Sequence, residues 1–216
     1  MSRRVAELTA DSLELLPVRC KRCLFWEFGA PRPVDVDDEL AGDPVVQKTA
    51  WWRSLELGEV SGTPQVPGRV VRVDGQVVGW CLFGPPEAFA PRRAPVPRIS
   101  KDALFLATLW VEPPFRGGHL GRVLVHAAIK EALRTDRRAV EAYGDRRHRE
   151  GTCVLPGTWL LHEGFALHRE HPRYPLHRLD VRSLVRLGDT IELAIDAVLG
   201  QIGARRPEPA PGRSSR

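Results

Sequence analysis

The segment Leu104–Gly121, LFLATLWVEPPFRGGHLG, constrains the fold of this chain more than any other part of it. The run Ala103–Val111 is apolar, β-compatible and as long as a buried strand. Pro113 and Pro114 have no N–H to give a sheet ladder, so they end the strand. Gly117, Gly118 and Gly121 follow and bring backbone amides close to whatever lies above the turn. Leu120, Val123, Leu124, Ala127, Ala128 and Leu133 then recur at helical spacing through Thr135 and form one apolar face. The segment therefore predicts a buried strand, a sharp turn and an amphipathic helix with open first amides. Such a helix start attracts an anion, and phosphate is the obvious occupant.

Two common phosphate motifs do not fit. A P-loop needs Gly-Lys-Ser/Thr, but Gly121 is followed by Arg122 and Val123; a dinucleotide fingerprint needs GxGxxG, but this turn reads GGxxG. Instead, Val111-x-Pro113-x-Phe115-Arg116-Gly117-Gly118-His119-Leu120-Gly121 resembles the acetyl-CoA signature of the GNAT N-acetyltransferases. That signature is a Val-x-Pro strand exit followed by Arg/Gln-x-x-Gly-x-Gly/Ala. Arg116 fills its first position and Gly121 its last, while His119 stands where the family has its middle glycine.

The rest of the chain reads in an order that suits the same family. Arg4–Thr9 predicts a first strand and Asp11 opens a short helix. Ala41–Leu57 has helical periodicity; Arg69–Val73 and Gln76–Leu82 flank Asp74-Gly75, a hairpin signal. Gly84–Ser100, rich in proline and arginine, reads as a long exposed connection. Ala139–Ala142 is a short strand, Leu155–Glu163 a short helix ended by Gly164, and Phe165–Glu170 with Tyr174–Val181 a final antiparallel pair. The Glu163-Gly164-Phe165 step matches the family's ending. CKRCLFWE and HPRYPLHRLD further resemble a group of actinobacterial GNAT-like proteins of unassigned substrate. The resemblance implies an α+β fold with a mixed, mostly antiparallel central sheet flanked by helices over residues 1–182. Beyond it, residues 183–202 predict an extra C-terminal amphipathic helix that caps the domain or makes a homodimer, and residues 203–216 a disordered tail.

The resemblance also implies chemistry: acetyl transfer from acetyl-CoA, as co-substrate, to an amine of a small molecule or protein by direct attack on the thioester. In the family the pantetheine arm pairs with the central strand, here Leu109, Trp110 and Val111, and a strand amide near Leu109 polarises the thioester oxygen. The pyrophosphate would lie over Arg116, Gly117, Gly118, His119, Leu120, Gly121 and Arg122. The glutamate base that some members carry on the central strand is Phe105 here, and the tyrosine acid of the last short helix is Leu160. Tyr143 and Asp145, just past the strand that should splay from the central one, are therefore the candidate acid and base, with Glu112 a weaker candidate. Those two departures keep a second reading open: a catalytically silent CoA-binding module on the same scaffold.

Cys153 reads as a buried thiol or as a nucleophile activated by His148 or His162. Cys20-x-x-Cys23 reads as half of a zinc site, with His168-x-x-His171, or as a redox pair. Histidines three apart on a strand point to opposite faces, so we assign no metal. Net charge is +5, carried by arginines dispersed along the chain, since Lys21, Lys48, Lys101 and Lys130 are the only lysines. A mildly basic surface suits an anionic cofactor, and without aromatic interleaving it argues against a nucleic-acid partner. The N-terminus has no uninterrupted apolar stretch of a secretory signal, and no apolar run is long enough for a bilayer, so a cytoplasmic protein without a membrane partner is expected.

Overall fold

The computed structural model describes residues 2–29, 42–60, 62–89, 96–149 and 151–181. The helix expected over 183–202 and the tail 203–216 lie outside the described residues. Among the described residues eight strands form one sheet: β1 (Arg3–Leu8), β2 (Gly68–Val73), β3 (Gln76–Gly84), β4 (Ala103–Val111), β5 (Ala139–Asp145), β6 (Leu155–Pro156), β7 (Ala166–Arg169) and β8 (Leu176–Asp180). Their order is β1-β2-β3-β4-β5-β8-β7, with β6 pairing β5 off this path. All neighbours on the path are antiparallel except β4 and β5. This is the mixed, mostly antiparallel α+β architecture expected from the sequence.

Five α-helices among the described residues flank the sheet: α1 (Val18–Lys21), α2 (Phe25–Phe28), α3 (Pro44–Glu56), α4 (Leu120–Arg134) and α5 (Gly157–His162). Among the described residues none is long and apolar enough to cross a membrane. Side chains alternate along β4, so Leu104 and Leu106 meet the apolar stripe of α4, while Phe105 and Ala107 face the opposite core. That second core gathers Trp52 and Leu55 of α3 with an aromatic cluster in which Phe105 meets Trp26, Phe89 and Tyr143 at ring separations of 5.4, 5.0 and 5.7 Å. Burying Phe105 alone contributes roughly 2–3 kcal/mol.

Three local expectations change. The segment after α4 stays extended to Asp145 instead of ending at Ala142, because β8 inserts beside it and pairs from Ala139 to Tyr143. Leu155 and Pro156 are not the first helical turn. Pro156 is extended, with ψ 126°, and both residues pair with Gly144 and Asp145 before α5 begins. The connection after β3 is not wholly exposed, since Ala88 and Phe89 are buried and Phe89 packs on Trp51.

Two features of β4 open the fold. Its register with β3 slips between Leu82 and Phe83, whose partners are Thr108 and Leu106, so Ala107 is the extra residue of a bulge. Its parallel pairing with β5 covers only Ala103, Leu104 and Phe105. From Leu106 onward the two strands part.

Candidate active site

Two cavities meet where β4 and β5 separate. The larger, about 670 Å³, has Leu109, Trp110 and Val111 of β4 on one side, the turn residues Phe115–Gly117 and His119–Arg122 at one end, and Leu155, Pro156 and Trp159 opposite. The smaller, about 340 Å³, lies on the Phe105 face and is lined by Trp26, Trp80, Thr108, Trp110, Lys48 and Tyr174, among others. Trp110 and the segment Gly151–Val154 belong to both. The bulge at Ala107 sets this division, turning Thr108 and Trp110 toward the smaller cavity and Leu109 and Val111 toward the core under α4.

The turn is built to leave amides open. Pro113–Phe115 form a 3-10 turn, and Gly117 has φ +79°, a conformation that glycine adopts without penalty. His119 is the N-cap of α4 in the left-handed region, φ 62° and ψ 10°, and no side chain caps the helix start. No acidic residue lies in the first turn either, so the helix dipole is left for an external anion. Close approach also demands Gly121: a Cβ there would stand 2.9 Å from Cζ2 of Trp159. The two walls of the cavity therefore fit together only without a side chain at 121.

Of the ten residues read from the sequence as cofactor contacts, Leu109, Trp110, Val111, Arg116, Gly117, His119, Leu120, Gly121 and Arg122 line the larger cavity. Gly118 does not; its nearest neighbours are the Phe115 carbonyl and the Arg3 guanidinium. The two arginines are partly engaged. Arg116 Nε donates to the Val111 carbonyl at 3.0 Å and its guanidinium lies 4.8 Å from the Trp110 ring. Arg122 Nε pairs with Glu163 Oε2 at 2.9 Å, so its charge is largely balanced.

Tyr143 and Asp145 are not brought to either cavity. The Tyr143 hydroxyl donates to the Pro97 carbonyl, and its ring belongs to the aromatic cluster. Asp145, 3% exposed, accepts the Arg147 N–H at 2.8 Å. Both side chains tie segments to β5. Glu112, the weaker candidate, accepts the Trp110 indole N–H at 3.3 Å. His148 lines the larger cavity and bonds the Val154 carbonyl, while Cys153 stands in the shared wall.

The smaller cavity was scarcely legible in the sequence. Lys48 reaches it from α3 and is 4% exposed, held by Glu27 Oε1 at 2.8 Å and by the carbonyls of Cys20 and Cys23. Trp52 Nε1 donates to the same Glu27 oxygen at 3.2 Å. Arg19 lies over the Trp110 ring at 4.0 Å. Tyr174 lines the cavity beside them. The Trp80 indole nitrogen is buried and finds no hydrogen-bond partner among the described residues. The sequence suggests an acceptor pocket built from the Trp26 region, the helix around Trp51-Trp52 and the Gly84–Ser100 loop; of these Trp26 lines the cavity, while Trp51 and Trp52 are buried in the core. No three His, Cys, Asp or Glu side chains come together as a metal site among the described residues.

A family model described as the acetyltransferase (GNAT) family matches residues 26–148, from α2 to just past β5. The fold is similar to that of an N-acetyltransferase from Staphylococcus aureus Mu50, at 14% identity over 84% of this chain and 99% of the other, with a TM-score of 0.54. It is also similar to YncA from Salmonella typhimurium, solved with its cofactor acetyl-CoA (16% identity, 84% and 95% of the chains, TM-score 0.53). PaiA N-acetyltransferase from Thermoplasma acidophilum, solved with coenzyme A, is similar too (14% identity, 83% and 99% of the chains, TM-score 0.51). No curated protein sequence matches significantly.

Proposed function

The chain belongs to the GNAT acetyltransferase family, which moves an acetyl group from acetyl-CoA to an amine, and on that premise we propose how its two cavities divide the reaction. The larger cavity takes the cofactor and the smaller takes the acceptor amine. The observation that carries this reading is their meeting at Trp110 and Gly151–Val154, with an uncapped helix start at one end and the open edge of β4 beyond Phe105 between them.

Acetyl-CoA supplies an activated thioester. The backbone amides at the start of α4 hold its diphosphate, with Gly121 leaving room beside Trp159. Leu109–Val111 offer backbone groups to the pantetheine amides, and an amide near Leu109 hydrogen-bonds the thioester oxygen as charge develops there. Trp26, Trp80 and Trp110 hold the acceptor so that a neutral nitrogen faces the carbonyl carbon. For the proton on the departing sulfur we choose Tyr174 over Tyr143, because Tyr174 lines the acceptor cavity and its hydroxyl makes no hydrogen bond among the described residues. Tyr174→Phe should lower kcat by roughly 10²-fold with acetyl-CoA affinity unchanged.

The acceptor cavity also carries an electrostatic preference. Among the described residues Arg19 and Lys48 line it and no carboxylate does, and although Lys48 is paired with Glu27, Arg19 leaves the lining basic, so a neutral or anionic amine on an apolar, ring-sized body fits better than a polyamine. The test is twofold. Acetyl-CoA should raise the melting temperature, Gly121→Glu should abolish the shift, and a panel of aryl and aralkyl amines should release CoA thiol faster than spermidine. No shift with the unaltered chain would overturn the cofactor site. A clear shift with no thiol release from any amine would favour the silent CoA-binding module.

A further inference from the structure

The wall between the two cavities carries a thiol pair that serves no step of acyl transfer. Cys23 stands between α1 and α2, and Cys153 stands ahead of β6; their sulfurs are 3.6 Å apart although 130 residues separate them. Both line the smaller cavity, and Cys153 lines the larger one as well. Lys48 pins the carbonyls of Cys20 and Cys23 to α3, so the Cys23 backbone is fixed. Cys153 lies two residues beyond Gly151, at φ +88°, in a segment without regular structure, so it is the partner with room to shift. A disulfide places its sulfurs about 2.0 Å apart, so the remaining approach is about 1.6 Å, within reach of a side-chain rotation and a small loop adjustment.

We propose that Cys23 and Cys153 form a reversible disulfide, a modification site whose oxidant is a hydroperoxide. Cys23 is the attacking sulfur. The hydrogen bond from Cys153 is the largest influence on it and, against burial, brings the Cys23 thiol down to about 6; giving that same hydrogen bond, with burial, pushes the Cys153 thiol up. The Phe25 backbone N–H and the nearby Lys48 ammonium also favour the thiolate form on Cys23. That thiolate attacks the terminal peroxide oxygen, the O–O bond breaks, and the leaving hydroxide is protonated to water. Cys23 is then a sulfenic acid. Cys153 attacks its sulfur, gives up the thiol proton, and a second hydroxide leaves as water. In sum, two thiols and one hydrogen peroxide become one disulfide and two waters, the two electrons passing from sulfur to oxygen. A free thiol reverses the bridge by exchange. The bridge draws Gly151–Val154 toward α1 and α2 across the acceptor cavity, a consequence that rests on the acyl-transfer reading, whereas the chemistry of the pair does not.

The experiment treats the full-length chain with hydrogen peroxide at neutral pH, blocks remaining thiols, and maps the peptides by mass spectrometry. A Cys23–Cys153 cross-linked peptide, lighter by two hydrogens and reopened by dithiothreitol, is the expected result. Cys20→Ser should keep the bridge, and Cys153→Ser should leave a sulfenic acid on Cys23 that dimedone labels. A bridge between Cys20 and Cys23, or full alkylation of Cys23 and Cys153 after peroxide, would overturn the proposal. Acetyl-CoA binding is followed separately in reduced protein by thermal shift, so a failure there counts against the cofactor site alone.

Discussion

At the scale of single residues, His119 shows how a departure from a family pattern can leave the geometry intact. The family has glycine at this position, and the backbone here adopts the left-handed conformation that glycine would take freely. An L-residue pays roughly 1–2 kcal/mol for that conformation, and histidine bears it better than a β-branched residue. His119→Gly removes the strain but adds about 0.4–1 kcal/mol of unfolded-chain entropy to be lost on folding. The expected net effect is a gain of about 0.5 kcal/mol in urea unfolding. His119→Val should lose about 1 kcal/mol by the same measurement. Acetyl-CoA affinity should be nearly unchanged in His119→Gly if, as proposed, backbone amides rather than the imidazole face the diphosphate. A tenfold loss of affinity in that variant would assign the anion to the side chain instead. Cys81 offers a different residue-scale contrast: burial pushes its thiol up to about 12, so at neutral pH it should alkylate far more slowly than Cys23.

At the scale of elements, the fold depends on β8 entering between β5 and β7 while β4 and β5 diverge at the other end. The inserted strand is fastened by Arg178, which donates to Glu141 Oε1 at 2.7 Å and to both Asp102 oxygens at 3.1 and 2.9 Å. Glu141 is fully buried on β5 and also accepts the Ser100 N–H, so it anchors the segment that leads into β4. Arg178→Met should cost about 3–5 kcal/mol by leaving a buried carboxylate without its cation. Adding Glu141→Gln should recover part of that loss, which urea unfolding of the single and double variants would measure. The same strand carries His177, whose ring packs against Gly144 and Gly157 and whose pKa is lowered by burial. His126 on α4 is lowered for the same reason. For a lowered histidine the unfolded chain binds the extra proton, so stability is full above the ordinary value of about 6.5 and falls as pH drops below it. Asp102, held below the usual carboxylate range first by its Arg178 hydrogen bonds, adds a further loss in the same direction at lower pH. Melting temperature should thus be level from about pH 8 to 7 and decline from about pH 6.5 downward, less steeply in His177→Asn. A melting temperature that rises on acidification would contradict the buried, neutral state of His177.

Across the whole molecule, the legible part of the sequence was the part in which neighbouring residues act together. Strand β4, the glycine turn and α4 follow from local periodicity and punctuation, so the residues from Leu109 to Arg122 that line the larger cavity, the proposed cofactor cleft, could be read in one stretch. The acceptor cavity could not, because Arg19, Lys48, Thr108, Trp110, Cys153 and Tyr174 come from separate elements and meet only through the sheet order. Tyr143 misled for a related reason: its position past the strand opening was right, but alternation turns its ring into the aromatic cluster. Charge was legible only as a sum. The net +5 is dispersed, and around the cleft Arg122 is offset by Glu163 while Arg116 is tied to the end of β4. On the proposed reading the anion is therefore held chiefly by fixed amide dipoles, which release few counterions, and not by a field of free cations. Acetyl-CoA affinity, followed by calorimetry, should weaken only severalfold between about 50 and 200 mM salt, whereas a protein neutralising six to ten nucleic-acid phosphates loses roughly 10³–10⁵ over that range. Duplex DNA should neither bind tightly at the higher salt nor displace acetyl-CoA. A steep salt slope for acetyl-CoA would move the weight of recognition from the start of α4 to Arg116 and Arg122, and alanine at those two positions would then have to remove it.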